Sequence, residues 1–485
     1  MAHGPLPTGG APSGRVESYR TGRVVQLAAV AALGGFLFGF DSAVINGANE
    51  AIQDEFNIES TLLGFVVAIA LLGAAIGAWF AGALADRYGR RRVMIVAAVM
   101  FGVSAIGTAI PVSVGWLMSW RVIGGAGIGV ASVIAPMYIA EIAPAQLRGR
   151  LGSMQQLAIV LGIFMTGVTN YLILEAAGGD ANNELWWALE AWQWMFLIMI
   201  IPAALYGLLA LRIPESPRFL VSEGRDAEAL KVLDSVFTSD QTEKVDEIRA
   251  SLAGDHKPNF RDLRGPRFGL LPIVWIGIAL SALQQFVGIN AVFYYSNLIW
   301  RSVGFDATDA FFTSMITNTT NLVTTFIAIA LIDRIGRKPL LLIGSTGMLV
   351  MLGTLTYLFS VAPQVATADG GSEPQLVGGS ATVAVIAFNA YVFFFGMSWG
   401  PVVWVLLGEM FPNRLRAAAL AVAAAAQWLA NFIVSMWFPT IAGFSLTLAY
   451  GIFTVFAALS IWFVMTKIRE TKGKTLEQMS DQVVA

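Results

Sequence analysis

Residues 61–92 read TLLGFVVAIALLGAAIGAWFAGALADRYGRRR, with no charge from 61 to 85 and then Asp86, Arg87, Arg90, Arg91 and Arg92 in close succession. At a rise of about 1.5 Å per residue, a helix over the uncharged run crosses a hydrocarbon core of roughly 30 Å. The basic string marks the end that stays on the cytoplasmic side. Working outward, apolar runs of the same kind fall at 24–46, 61–84, 93–112, 116–140, 151–174, 191–211, 269–300, 308–332, 339–361, 381–408, 417–439 and 443–466. These twelve spans predict an all-α membrane protein.

Composition agrees with that reading. Of 485 residues 56% are hydrophobic and 13% charged, whereas a soluble surface needs about a quarter charged residues. The net charge of −2 says little about partners, but its distribution is informative. All Lys and Arg except Arg121 and Arg301 fall in the N-terminal tail, in alternate loops or in the C-terminal tail. Both termini are therefore expected to be cytoplasmic, in a plasma (inner) membrane. The intervening loops, 47–60 and 175–190 among them, carry acids without Lys or Arg. Residues 1–23, rich in Gly and Pro, are expected to be a disordered tail, with helix 1 itself directing insertion. With no cysteine and with His3 and His256 outside the spans, the sequence predicts no metal site and no cofactor. No nucleophile–base constellation lies within the spans, so an enzyme is not expected. Nothing points to nucleic acid.

The chain repeats itself. A polar insert at 212–268, with the helical patterns DAEALKVLDSV and EKVDEIRASL, separates bundles at 24–211 and 269–466, and a tail follows at 467–485. DRYGRRR (86–92) is echoed by DRIGRKP (333–339), Glu141-x-x-Pro144-x-x-x-Arg148 by Glu409-x-x-Pro412-x-x-x-Arg416, and PESPR (214–218) more loosely by RETKG (469–473). Parallel duplication of a helical unit is a known carrier architecture, with substrate held between the halves near mid-membrane.

In these strings the chain resembles the sugar porters of the major facilitator superfamily, which include bacterial xylose–proton symporters and facilitative glucose transporters. The resemblance is carried by GFLFGFD (35–41), GALADRYGRRR (82–92), RVIGGAGIG (121–129), YIAEIAPAQLRGR (138–150), PESPR, QQFVGIN (284–290), DRIGRKP, WGPVVWVLLGEMFP (399–412) and ETKG (470–473). It implies the major facilitator fold, two six-helix halves plus a cytoplasmic helical domain formed by the insert. It also implies transport of a small neutral sugar by a carrier that is functional as a monomer.

Among 32 acidic residues, Asp41 stands alone deep within a span, where a charge is costly and usually functional. Helix 4 runs the other way and brings Arg121 to a similar depth. A carboxylate alone in a low-dielectric medium favours its neutral form and one beside a guanidinium its ionised form. A motion that parts the two therefore couples proton binding to conformation. The resemblance assigns proton coupling to Asp41 and Arg121, although Met199 stands where the xylose symporter has a second intramembrane Glu. A facilitative uniporter with a purely structural pair is the alternative.

A neutral polyol needs amides that donate and accept, and aromatic surfaces for its C–H faces. Helix 5 offers Gln156, helix 7 Gln284, Gln285 and Asn290 around Gly288, helix 8 Asn321, helix 10 Trp404, and helix 11 Gln427, Trp428 and Asn431. The resemblance implies sugar contact at each. Intramembrane amides also glue helices, and Gln155, Asn170 and Asn318 are read that way. At Ile163, two turns beyond Gln156, the resemblance implies a polar residue in the xylose symporter and an Ile in glucose carriers, which tilts the expectation from pentose toward hexose. Phe38 and Tyr294 are candidate gate or wall residues. At the cytoplasmic ends, Asp86, Arg87, Arg90, Arg91, Glu141, Arg148, Glu215 and Arg218 in one half and Asp333, Arg334, Arg337, Lys338, Glu409 and Arg416 in the other are expected to form a charge latch that holds the inner ends together while the outer side is open and breaks when the carrier tips inward.

Overall fold

The computed structural model describes residues 18–144, 147–238, 241–254, 263–265, 269–366, 372–411 and 413–471. The uncharged runs become helices because a backbone in lipid must satisfy its own polar groups. They are α1 (Thr21–Phe56), α2 (Ser60–Tyr88), α3 (Arg90–Ala109), α4 (Val114–Ile142), α5 (Arg148–Ala176) and the pair α6 (Ala191–Leu197) and α7 (Ile200–Ala210). After the insert come the pair α11 (Pro272–Phe286) and α12 (Ile289–Ser302), then α13 (Ala307–Ile335) and α14 (Arg337–Val361). The pair α15 (Gly379–Met397) and α16 (Trp399–Met410), α17 (Asn413–Phe444) and α18 (Leu446–Lys467) complete the second half. Among the described residues, 12 helical segments are long and apolar enough to cross a membrane. Trp79, Phe80, Ile201 and Trp462 are each more than half exposed on the outside of the bundle, as a lipid-facing surface requires. The insert forms α8 (Pro217–Ser222), α9 (Asp226–Val236) and α10 (Thr242–Gly254). Two short hairpins, β1 (Glu184–Trp186) with β2 (Leu189–Glu190) and β3 (Gln364–Ala366) with β4 (Ser372–Pro374), sit in loops.

Glycines set how closely the spans approach. A Cβ on Gly125 would lie 1.9 Å from the carbonyl oxygen of Ala70, and one on Gly77 2.1 Å from that of Ala126, so α2 and α4 pack backbone to backbone.

The structure corrects two expectations about the ends of the first span. The helix begins at Thr21, and Tyr19 bridges Phe237 while the Arg20 amide donates to the Val236 carbonyl at 2.8 Å. Residues 18–23 are thus anchored on the end of α9 rather than disordered, and residues 1–17 lie outside the described part. At its other end the helix runs through the supposed 47–60 loop to Phe56, where Asn57 (φ 45°) caps it in the left-handed region. The polar residues Asn46, Asn49 and Glu50 are therefore helical and regularly spaced.

Of the three paired spans, the sixth keeps right-handed helical angles through Ile198 and Met199, whereas two leave helical geometry in mid-span. In the seventh, Gly288 adopts φ 90° between α11 and α12, and the Val287 carbonyl is met by the Tyr391 hydroxyl at 2.8 Å. In the tenth, Pro401 has no N–H for the Met397 carbonyl, and Ser398 leaves helical geometry (φ −132°, ψ −83°). The Gln284 amide donates to the carbonyls of Trp399 (2.7 Å) and Gly400 (3.3 Å), tying the two breaks together. A Cβ on Gly288 would lie 2.4 Å from the Phe453 ring, and its φ disfavours any other residue. Gly288→Ala is expected to destabilise the fold by about 1–3 kcal/mol, read as a lower unfolding temperature of the purified carrier.

The halves meet at the end opposite the termini, called here the acidic end; the other is the basic end. Asn46 donates to Ser296 (3.0 Å) and accepts from the Asn297 amide (3.1 Å), while its carbonyl takes the Asn297 side chain (3.1 Å). Asn49 donates to the Tyr294 carbonyl at 2.6 Å, Arg301 pairs with Glu50 at 3.3 Å, and Thr61 meets Thr440 at 3.0 Å. These bonds form a clasp across the two halves.

Candidate substrate and coupling site

Asp41 and Arg121 are both 3% exposed and face each other from α1 and α4, with Nη1 3.8 Å from Oδ1 and 3.4 Å from the Asp41 carbonyl. Gly124 lies beside the pair and makes room for Ser104, since a Cβ there would lie 2.5 Å from Ser104 Oγ. Neither Oδ2 of Asp41 nor Nε of Arg121 has a hydrogen-bond partner. The pair is thus loosely made, at long distance, with polar capacity to spare. Tyr294 is buried on α12, and its carbonyl is held by Asn49 of the clasp.

Around the break in the seventh span, Asn290 donates to Gln285 Oε1 at 2.5 Å, and Gln285 leans on Gln284 Oε1 at 3.5 Å. Gln285 and Asn290 converge across the unwound turn, whereas Gln284 is committed to the tenth span. Trp404, 42% exposed, lies one turn beyond Gly400 on the same face of α16. Trp428 packs on Phe38 with ring centroids 5.9 Å apart, which joins the halves at the level of the site. Gln427 has a buried Oε1 with no partner, and Asn431 accepts from Ser435 at 3.0 Å. Asn321 is buried on α13, and Gln156 and Ile163 are half-buried on α5. Of the residues read as packing, Asn170 donates to the Val44 carbonyl at 3.3 Å, Gln155 presses on Gly35, and Asn318 fills the space over Gly167. An acceptor without a donor, amides across an unwound turn and two indoles suit a ligand rich in hydroxyls.

At the basic end the charges pair within each half. Arg90 pairs with Glu141 (2.9 Å) and Asp86 (3.2 Å), and Arg337 with Glu409 (2.8 Å); each pairing lies within one half. Glu215 accepts from the backbone amides of Arg90, Arg91 and Ser216, and so caps α3. Glu470 does the same for α14 through the amides of Arg337, Lys338 and Thr471. The loose echo PESPR/RETKG is therefore a repeated helix cap, and Ser216 on Glu141 matches Thr471 on Glu409. Arg91 donates to the Leu211 carbonyl, Lys338 to that of Met465, and Arg87 lies over the Tyr88 ring. Arg218 is half-buried and Arg334 exposed; the side chains of Arg148, Asp333 and Arg416 lie outside the described residues. A carboxylate on unpaired helix N–H groups stabilises by about 1–2 kcal/mol. Glu215→Ala is expected to lower the unfolding temperature while leaving sugar affinity unchanged in a binding titration.

The clasp residues Asn46, Asn49, Ser296, Asn297 and the Glu50–Arg301 pair were missed in the sequence. Their signal was a polar i, i+3, i+4 pattern at 46, 49 and 50, hidden because the apolar run ends there.

Comparison with known proteins gives a consistent picture. Residues 27–482 match the family described as "Sugar (and other) transporter". The chain is 53% identical to the glucose transport protein of Synechocystis sp., covering 94% of this chain and 97% of that one. It is 38% identical to the D-xylose-proton symporter of Escherichia coli, covering 95% and 96%. The inward-open conformation of the xylose transporter XylE from E. coli superposes with TM-score 0.79 at 37% identity, covering 95% and 99%. XylE bound to 6-bromo-6-deoxy-D-glucose superposes with TM-score 0.76 at 38% identity, covering 96% and 100%. With twelve spans in two repeated halves and a polar site between them, this chain belongs to the sugar transporter family of the major facilitator superfamily, whose members are carriers rather than enzymes.

Proposed function

We propose that the protein is a proton-coupled monosaccharide symporter working by alternating access, with hexose, and glucose in particular, preferred over pentose. The observation that carries it is the Asp41–Arg121 pair, buried between α1 and α4, held only at 3.8 Å and with Oδ2 of Asp41 left without a partner. Protonating Asp41 removes its attraction for Arg121. That frees α4 from α1, and α1 is the helix whose outer end carries Asn46 and Asn49 of the clasp. A ligand shifts a conformational equilibrium only by its differential affinity for the two states, and this arrangement supplies such a difference for proton and sugar together.

In this reading the basic end is cytoplasmic, as are both termini, in the plasma membrane, and the protein acts as a monomer. The clasp then seals the outside and the central site faces the cytoplasm. In the opposite state the duplicated charge strings at the basic end latch the halves. Glucose is favoured by the apolar wall at Ile163 and by the glucose transport protein that is 53% identical. Uptake of labelled glucose and xylose into proteoliposomes tests the proposal. An imposed inward proton gradient should drive accumulation, greater for glucose; equilibration at the same rate with and without the gradient would establish a uniporter instead.

A further inference from the structure

At the acidic end, above the clasp, the two halves enclose a cavity of about 400 Å³, bordered by α1, the α5–α6 loop, α12 and the start of α13. That volume lies within the range of small-molecule sites. Its lining carries Glu50, Asp54, Asp180 and Asp306 against Arg301 alone, so an anion is disfavoured. Among the described residues no cluster of three or more metal-ligating side chains exists, so the acids are too dispersed to hold a metal ion. What the cavity offers is hydrogen-bond acceptors. Asn49, 1% exposed, spends its amide N–H on the Tyr294 carbonyl and leaves Oδ1 buried with no partner. Phe311 adds an aromatic ring to the wall. Acceptors beside an aromatic face fit the hydroxyl donors and C–H surface of a neutral polyol.

The floor of the cavity leads toward the centre of the carrier. Asn46, Asn297 and Phe311 also line a second pocket of only about 10 Å³, room for about one water molecule. A ligand in the upper cavity therefore rests directly on the closed clasp. We infer that this cavity is a vestibular site for the neutral monosaccharide itself, occupied while the central site faces the basic end, so that substrate is already in place when the clasp opens. The inference rests on the sugar-carrier reading above.

Thr308 lines the cavity from the first turn of α13 and is exposed, so Thr308→Trp fills the space without disturbing the core. The test is saturation-transfer difference NMR of D-glucose with the full chain in nanodiscs. Gln285→Ala combined with Trp404→Ala silences the central site, and a glucose signal should remain; adding Thr308→Trp should reduce it at least about fivefold. Thr308→Trp alone should bind glucose at the central site with native affinity by calorimetry, which shows that it folds. A signal in the native protein that vanishes in the double variant overturns the vestibular site and leaves the sugar carrier standing, as does a residual signal that Thr308→Trp does not touch. A native protein silent with glucose, xylose and arabinose alike overturns both.

Discussion

Asp41→Asn is expected to abolish accumulation of sugar against its gradient while sparing exchange of labelled for unlabelled sugar. With one proton per sugar, an inward difference of one pH unit supports about tenfold accumulation, since a tenfold ratio is about 1.4 kcal/mol. Asparagine cannot exchange a proton, so the ratio falls to about one. The Arg121 contact to the Asp41 carbonyl at 3.4 Å does not depend on the carboxylate and survives the substitution. The guanidinium nevertheless loses its counter-ion, which costs a buried site several kcal/mol. Exchange activity is therefore the necessary control, because it reports a folded carrier that still alternates. A variant that accumulates sugar as the native protein does would remove Asp41 from the coupling step.

Gln285→Ala should weaken sugar binding by about 1–3 kcal/mol, about fivefold to 150-fold in Kd, with little change in thermal stability. The substitution removes an amide from the ligand and also leaves the Asn290 side chain, now bonded to Gln285 Oε1 at 2.5 Å, without its acceptor. Trp404→Ala should act in the same direction by removing an indole that the core does not hold. Gln284→Ala provides the contrast. Its amide joins the breaks of the seventh and tenth spans through the Trp399 and Gly400 carbonyls, so stability should fall along with affinity. Calorimetric titration with glucose beside a thermal melt separates the two outcomes. Equal losses of stability in Gln284→Ala and Gln285→Ala would mean that both amides are structural.

The neighbouring glutamines show where reading the sequence stops. Both read as polar groups in a membrane helix, and nothing in the spelling QQFVGIN tells that Gln284 mends a broken helix while Gln285 meets Asn290 across the unwound turn. That distinction depends on where the tenth span breaks, and the break depends on Pro401 and on the neighbours that accept the freed carbonyls.

The sequence by itself determined the spans, their alternation of direction, the two halves and the isolation of Asp41. Each of these follows from a local cost: uncharged runs belong in lipid, basic strings stay behind, and a charge within a span needs a reason. The tertiary structure alone decided that the first helix continues to Phe56, that Asn46 and Asn49 clasp the second half, and that Glu215 and Glu470 cap helices. In every such case a polar group far away in sequence satisfies the one in question. Hydropathy ended the first span at Asn46 because it counts polar side chains as a cost. Partners contributed by the other half of the molecule remove that cost, and only the folded chain shows which partners those are.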